Sequence, residues 1–158
     1  MNPCTNIPLN LPSFDLRTRL VSGEGQIFDP IRRRFVALTP EEWVRQHFIN
    51  YLVTEKGYPK GLISVEVPLV INRVNHRADI VCFSSEAKPI LVVECKAPNV
   101  RISGQTLRQV SRYNLLLKAP FLVVTNGLVH YSIRLTARGV EKLGSIPAYK
   151  EVMTIDPE

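Results

Sequence analysis

Apolar positions along the chain keep two different spacings, and the places where one spacing gives way to the other mark the elements. From Pro89 the run Ile90-Leu91-Val92-Val93 is unbroken until Glu94-Cys95-Lys96, the pattern of a central strand buried on both faces. Ile63 to Ile71, Arg77 to Phe83 and Phe121 to Thr125 also read as strands, and Pro68 gives the first of them an edge position or a bulge. Val44, Phe48, Tyr51 and Leu52 recur at helical spacing. That helix opens at Thr39-Pro40-Glu41-Glu42, where Thr39 caps, Pro40 takes the first helical position and Glu42 bonds back to the Thr39 amide. It runs to about Lys56 and stops at Gly57. A second helix is expected from Ser103 to about Lys118. Asn126-Gly127 predicts a hairpin with Leu128 to Leu135 as the returning strand, followed by a short helix from Thr136 to Leu143. Upstream, Leu16 to Val21 and Arg32 to Leu38 look strand-like around Ser22-Gly23-Glu24-Gly25, and Asn72 to His76 is expected to turn.

The resulting order, ββ-α-βββ-α-ββ-α, predicts an α/β fold: a mixed central sheet flanked by helices in a single layered domain. Residues 1–38 read as an N-terminal arm with short strands, 39–145 as the core and 146–158 as a polar tail. A chain of 158 residues with 45% apolar content is long enough to close that core without metal or disulfide staples. Three cysteines (Cys4, Cys82, Cys95) with no CxxC spacing argue against a disulfide framework or a zinc knuckle. No apolar run approaches the eighteen or so residues that span a bilayer, and no secretory pattern opens the sequence. The expectation is a cytoplasmic protein with no membrane partner.

Charge changes the picture in one region. The net charge is +6, and between Cys95 and Val140 there is no Asp or Glu, while Lys96, Arg101, Arg108, Arg112, Lys118, Arg134 and Arg138 are all present. A long one-sign stretch beside an acidic site suggests a surface that attracts phosphate, although a solvated basic face is the plain alternative. Arg32-Arg33-Arg34 reads as a charged edge strand.

Candidate chemistry gathers at Asp79, Glu94 and Lys96. Residues two apart in a strand share a face, so Glu94 and Lys96 point one way and Cys95 the other. Pairing the two strands through the turn at Glu86 and Ala87 sets Asp79 across from Glu94, Val81 across from Val92 and Phe83 across from Ile90. Opposed side chains lie about 5 Å apart at Cβ, a span on which two carboxylates share one cation. Like charges beside each other at the end of a buried strand are costly unless matched. A hard ion such as Mg²⁺, with Mn²⁺ as a substitute, matches them and keeps several waters. Lys96 then orients a water or balances charge on the phosphate. A cross-strand salt bridge on a surface hairpin is the rival explanation, and the apolar strand leading into the charges speaks against it.

Asp79, a gap of fourteen residues and Glu94-Cys95-Lys96 resemble the signature of the PD-(D/E)xK nuclease superfamily. The wider match, over roughly Thr39 to Leu135, resembles the N-terminal nuclease domain of type I restriction enzyme R subunits. It takes in Val44-Arg45-Gln46, Gly57-Tyr58-Pro59, Val65-Glu66-Val67-Pro68, Glu94-Cys95-Lys96-Ala97-Pro98, Gln109 with Tyr113, and Thr125-Asn126-Gly127. The resemblance implies a restriction-endonuclease-like fold and Mg²⁺-dependent cleavage of DNA, with Asp79, Glu94 and the Cys95 carbonyl holding the metal. It places Gln109 at the border of the site. Ala78 stands where the superfamily's proline would be. No GxxxxGK[ST] occurs, so these residues hold no ATP-driven motor, and separate motor or specificity subunits are candidate partners.

Glu41 falls on the inward face of the first helix and either reaches the metal or simply favours the helix N-terminus. Arg108 and Arg112, four apart on the second helix, are candidate phosphate contacts or a solvated face. His76, His130 and Trp43 read as ordinary packing and loop residues, and Cys95 as a core residue. The alternative to an endonuclease is a non-catalytic DNA-binding or assembly module that keeps the fold; action on RNA is weaker, since no aromatic-rich strand offers base stacking. Oligomeric state is left open by the sequence.

Overall fold

A computed structural model describes residues 7–155; the first six residues of the expected arm, Cys4 among them, and the last three of the tail lie outside the described residues. Three strands come first: β1 (Thr18–Val21), β2 (Glu24–Asp29) and β3 (Arg34–Ala37), an antiparallel sheet in that order. Then follow α1 (Pro40–Thr54), β4 (Ile63–Ile71), β5 (Val74–Phe83), β6 (Pro89–Cys95), α2 (Gly104–Leu117), β7 (Phe121–Thr125), β8 (His130–Thr136), β9 (Gly139–Leu143) and α3 (Tyr149–Met153). The six strands β4 to β9 form one sheet in sequence order, antiparallel throughout except for the parallel pair β6–β7. A parallel pair needs a crossover, and α2 supplies it. The architecture is the expected mixed α/β sheet with flanking helices.

Two apolar layers sandwich this sheet. On one face Val44, Phe48, Ile49 and Leu52 of α1 pack with Ile80, Cys82, Leu91, Val93, Cys95 and Val123. On the other, Val110 and Tyr113 of α2 pack with Val81, Val92, Leu122 and Val124. The buried alternation Ile80/Val81/Cys82 and Leu91/Val92/Val93 is the period-2 pattern of a strand covered on both sides. α1 is covered on its second face too: Trp43 packs with Ile27 of the N-terminal sheet and with Leu38, which follows β3. Eight consecutive residues, Glu42 to Ile49, are therefore buried, which is why the helix shows little amphipathic contrast.

Several expectations need correction. The segment Thr136 to Leu143 is a hairpin, not a helix: β8 pairs with β9 from Thr136↔Gly139 onward. Gly139 sits at φ +127°, outside any helix, and a strand gives the unpaired rim of β8 its hydrogen bonds. The tail contains α3, with Ile146 and Val152 buried in the main core. An extra strand, β2, begins inside the segment read as a turn; only Ser22 and Gly23 turn, both at positive φ, as a tight two-residue hairpin demands. Asn72 and Arg73 do the same, so β5 starts at Val74 rather than Arg77. β8 begins at His130, not Leu128, because the Asn126 carboxamide oxygen accepts from the amides of Leu128 and Val129 and widens the loop. Gly127, at φ +82°, has the Leu9 side chain where a Cβ would stand.

Candidate functional site

The register of β5 on β6 runs Cys82↔Leu91, Val81↔Val92, Ile80↔Val93, in the expected frame; the bulge at Cys82/Phe83 pairs Phe83 with Pro89 instead of Ile90. At the next rung the Asp79 side chain takes over from the backbone: its Oδ2 accepts from the Cys95 amide at 2.7 Å. A reversal in the sheet puts it there. Ile80 and Val65 pack on the α1 side, whereas Ala78 and Val67, two residues away on the same strands, pack on the α2 side. Between them Glu66 is at φ +50°, and the ladder skips the Glu66/Asp79 rung. Both strands thus change phase at one level, a matched irregularity of the kind that re-aims side chains. Its result is that Asp79 stands at the seam between the two layers.

On the α2 side, Glu94 is 4% exposed. Its Oε1 lies 3.3 Å from the Lys96 ammonium, and its buried Oε2 has no hydrogen-bond partner. Burial first, and then the Asp79 charge, push the Glu94 carboxyl up to about 8 against the pull of Lys96. Lys96 donates to Gln109 Oε1 at 3.3 Å, and Gln109 Nε2 donates to the Tyr113 hydroxyl at 2.7 Å. The four-residue spacing on α2 places Gln109 and Tyr113 in line. The Lys96 amide donates to the Thr125 carbonyl at 2.8 Å, which ties the end of β6 to β7. Cys95 is fully buried on the α1 side, pointing away from Glu94 and Lys96 as alternation requires.

On the α1 side the Asp79 Oδ1 accepts from Arg45 Nη2 at 2.9 Å. Arg45, with a side chain 5% exposed, also meets Glu42 at 2.9 Å, Glu66 at 3.4 Å and Glu41 at 3.6 Å. Burial opposes its charge, but Asp79 and then Glu42 more than offset this and raise its pKa. Glu41 is held less tightly, its side chain 44% exposed. Partial burial and then Asp79 raise its pKa, while Arg45 and Lys96 lower it. Glu42 does not bond back to Thr39; Thr39 Oγ1 accepts from the Glu42 amide at 3.1 Å, but the Glu42 carboxylate serves Arg32, Arg45 and Gln46. Two guanidiniums, Arg45 buried and Arg32 half-buried, outcompete one terminal amide.

Asp79, Glu94, Lys96, Gln109 and Glu41 are therefore brought together, whereas Arg108 and Arg112 point outward from α2, both exposed. Sequence reasoning missed Arg32 and Arg45 as site-shaping residues. Arg32 does not lie on an edge strand but in the β2–β3 turn, reaching Asp29, Glu42 and Glu66. Arg45 had one available signal: a charge inside the apolar face of α1, where only a paired ion is tolerated.

The donor set suits a hard cation. Glu94 Oε2 is a buried oxygen with no hydrogen-bond partner, and among the described residues no three His, Cys, Asp or Glu side chains group so as to hold a metal ion by themselves. Carboxylate oxygens are the donors a hard, magnesium-type ion takes, whereas zinc sites favour sulfur and nitrogen.

Residues 40–147 match a family model described as the type I restriction enzyme R protein N terminus. Among solved structures, the chain is similar to a fragment of a candidate HsdR subunit of a type I restriction enzyme from Vibrio vulnificus YJ016, at 22% identity and a TM-score of 0.49. The match covers 69% of this chain and 24% of that one, so the chain spans about a quarter of the relative's length. A search of curated proteins finds no match.

Proposed function

The chain belongs to the type I restriction enzyme R protein N-terminal family, and from that premise we propose that it is a divalent-metal-dependent nuclease domain of the PD-(D/E)xK kind, hydrolysing phosphodiester bonds in DNA. The observation that carries this reading is the unpartnered, buried Glu94 Oε2 beside Asp79 and Lys96. A buried carboxylate oxygen with nothing to bind is costly unless a proton or a cation meets it. Asp79, Glu94 and the Cys95 carbonyl would hold Mg²⁺, with Mn²⁺ as a substitute. When bound, such an ion supplies Lewis acidity toward the phosphate and the attacking water.

The chain's own groups do the positioning. Lys96, held between Glu94 and Gln109, orients the nucleophilic water or balances charge on the phosphate. Tyr113 fixes the Gln109 carboxamide. Glu41, half in solvent, is placed to accept a hydrogen bond from an incoming water. Arg108 and Arg112 supply backbone-phosphate contacts that fix register without reading sequence. Residues 39–145 act as the nuclease-like core of a restriction-endonuclease-like fold, with Ile27 of β2 and Val152 of α3 packed beside it. The setting is a cytoplasmic restriction-modification system, in which motor and specificity subunits complete the work. Among the described residues no helix is long and apolar enough to cross a membrane.

Plasmid nicking with Mg²⁺ or Mn²⁺ tests the reading, with Mn²⁺ calorimetry alongside. Lys96→Ala and Glu94→Ala each lose about 10³-fold or more in rate while circular dichroism stays native, and Glu94→Ala loses Mn²⁺ binding. Undiminished nicking by Lys96→Ala sinks the mechanism. The Arg45–Asp79 ion pair favours a second reading, since it already neutralises one metal ligand: a DNA-binding or assembly module without turnover. That protein would bind DNA with a steep salt dependence and nick nothing with either metal.

A further inference from the structure

Asp29, Glu41, Glu42, Glu66 and Asp79 share the buried or half-buried guanidiniums of Arg32 and Arg45, and the exposed Arg77 lies 3.8 Å from Glu66. Arg32 contacts Asp29, Glu42 at 2.6 Å and Glu66 at 3.0 Å, and Arg45 contacts Glu42, Glu66, Glu41 and Asp79. The chain of ion pairs therefore starts in the β2–β3 turn, crosses α1 and β4, and ends on the candidate metal ligand. We propose that Arg45 is a positioning residue for Asp79, and that Arg32 holds Arg45's partners so that the N-terminal sheet becomes part of the site. The proposal rests on the metal-dependent reading above.

Three observations support it. Asp79 is gripped through both oxygens, Oδ1 by Arg45 and Oδ2 by the Cys95 amide, so the plane of the carboxylate is fixed. Each oxygen has a second lone pair free for a cation. Next, five carboxylates against the three guanidiniums of Arg32, Arg45 and the exposed Arg77 leave the network short of positive charge. Last, Glu66 sits in the left-handed region at φ +50°, a conformation unfavourable for a residue with a Cβ. Arg32 and Arg45 both bind its carboxylate, which holds the phase reversal that puts Asp79 at the seam. Arg45 is too deeply buried to touch a DNA backbone, and only a planar fork can serve Glu42 and Asp79 at once.

The test uses the full chain, with Mn²⁺ as the probe. Melting curves and nicking kinetics are taken in parallel for wild type, Arg45→Lys, Arg32→Lys and Glu66→Gln. Supporting groups around metal ligands are typically worth about 10–100-fold in metal affinity. Arg45→Lys should therefore weaken Mn²⁺ binding about tenfold or more and lower kcat, while KM for DNA moves less than about twofold. Arg32→Lys and Glu66→Gln, neither touching Asp79, should each weaken Mn²⁺ by roughly threefold to tenfold. Glu66→Gln keeps the test open if Arg45→Lys does not fold. An unchanged Mn²⁺ dissociation constant in the folded variants, even with lowered melting points, overturns the proposal and leaves the metal reading standing. Tighter Mn²⁺ binding by Arg45→Lys overturns it as well, because the guanidinium would then be occupying the cation's place. Absence of Glu94-dependent Mn²⁺ binding in wild type overturns the metal reading and this proposal together.

Discussion

Asp79 divides two clusters of buried charge that are built on opposite terms. On the α1 side, Asp29, Glu42, Glu66 and Asp79 each meet a guanidinium at 3.4 Å or less. On the α2 side, Glu94 has one ammonium at 3.3 Å on one oxygen and nothing on the other. Both clusters are buried, so burial does not separate them; the partnering of each carboxylate oxygen does, since among the described residues Glu94 Oε2 is the one buried carboxylate oxygen without a hydrogen-bond partner. A cluster whose carboxylates are each held by donors makes a rigid part of the scaffold, whereas an unpartnered buried oxygen stays ready for something absent from the chain itself. The difference teaches which buried acids are structural and which are held for a ligand.

The largest expected effect comes from breaking the matched side. Arg45→Met leaves Glu42, Glu66 and Asp79 short of a partner, and removing one member of a buried pair costs about 3–5 kcal/mol. Urea unfolding at neutral pH should show a loss of that size with an unchanged m-value. A change under about 1 kcal/mol would mean that the network is solvated and not a scaffold.

Neutralising the other side should have the opposite sign. The Glu94 carboxyl is pushed up from 4.5 to about 8, by burial first and Asp79 second. A folded pKa above the unfolded one means the folded state prefers the protonated group. Its contribution is fully present below about 4.5 and is lost as pH rises through about 8. The metal-free wild type should therefore lose stability relative to Glu94→Gln across that window, by on the order of 2–4 kcal/mol. Melting both proteins in chelator from pH 5 to pH 9 checks this. Parallel curves would show that Glu94 is ionised and already compensated.

Restoring the missing cation should close the gap between the two sides. Above pH 8, Mg²⁺ at a hundredfold excess over its dissociation constant should stabilise wild type by about 2.7 kcal/mol, and less at pH 6, where protons compete for the same carboxylate. Glu94→Gln should respond little at either pH. An equal response from the variant would place the ion elsewhere.

How much of this was legible in the sequence follows the same division. The unmatched side was partly readable, because alternation along Ile80–Phe83 and Leu91–Lys96 fixes which residues share a face, and the turn between them fixes the rung. The register Val81↔Val92 and the inward Cys95 follow from those two facts. The matched side was not, since Arg32, Glu42 and Glu66 come from three different elements, and no local pattern says that they meet. Nor does any spacing announce that Glu66 takes a positive φ and reverses the phase of two strands. Arg32 looked like one of three surface arginines, and Glu42 like half of a capping box, because each local motif was satisfied without its tertiary partner. At the C-terminal end, Thr136 to Leu143 carries a weak apolar pattern that suits a helix or a strand. The neighbouring rim of β8 decides for the strand.

The smallest effect should come from the link that steadies Lys96. The Tyr113 hydroxyl accepts from Gln109, whose other carboxamide atom accepts from Lys96. Tyr113→Phe keeps the ring packed under α2 but lets the carboxamide rotate. One neutral hydrogen bond is worth about 0.5–1.5 kcal/mol, so both stability and kcat should fall by modest amounts, the latter about threefold to tenfold. Gln109→Ala removes the Lys96 contact outright and should cost more than Tyr113→Phe, while the double variant should cost no more than Gln109→Ala alone. That ordering distinguishes a relay that acts through Lys96 from two independent contributions, which would add. If the losses do add, Tyr113 touches substrate or packing directly, and the α2 side has a polar contact beyond the Lys96 line.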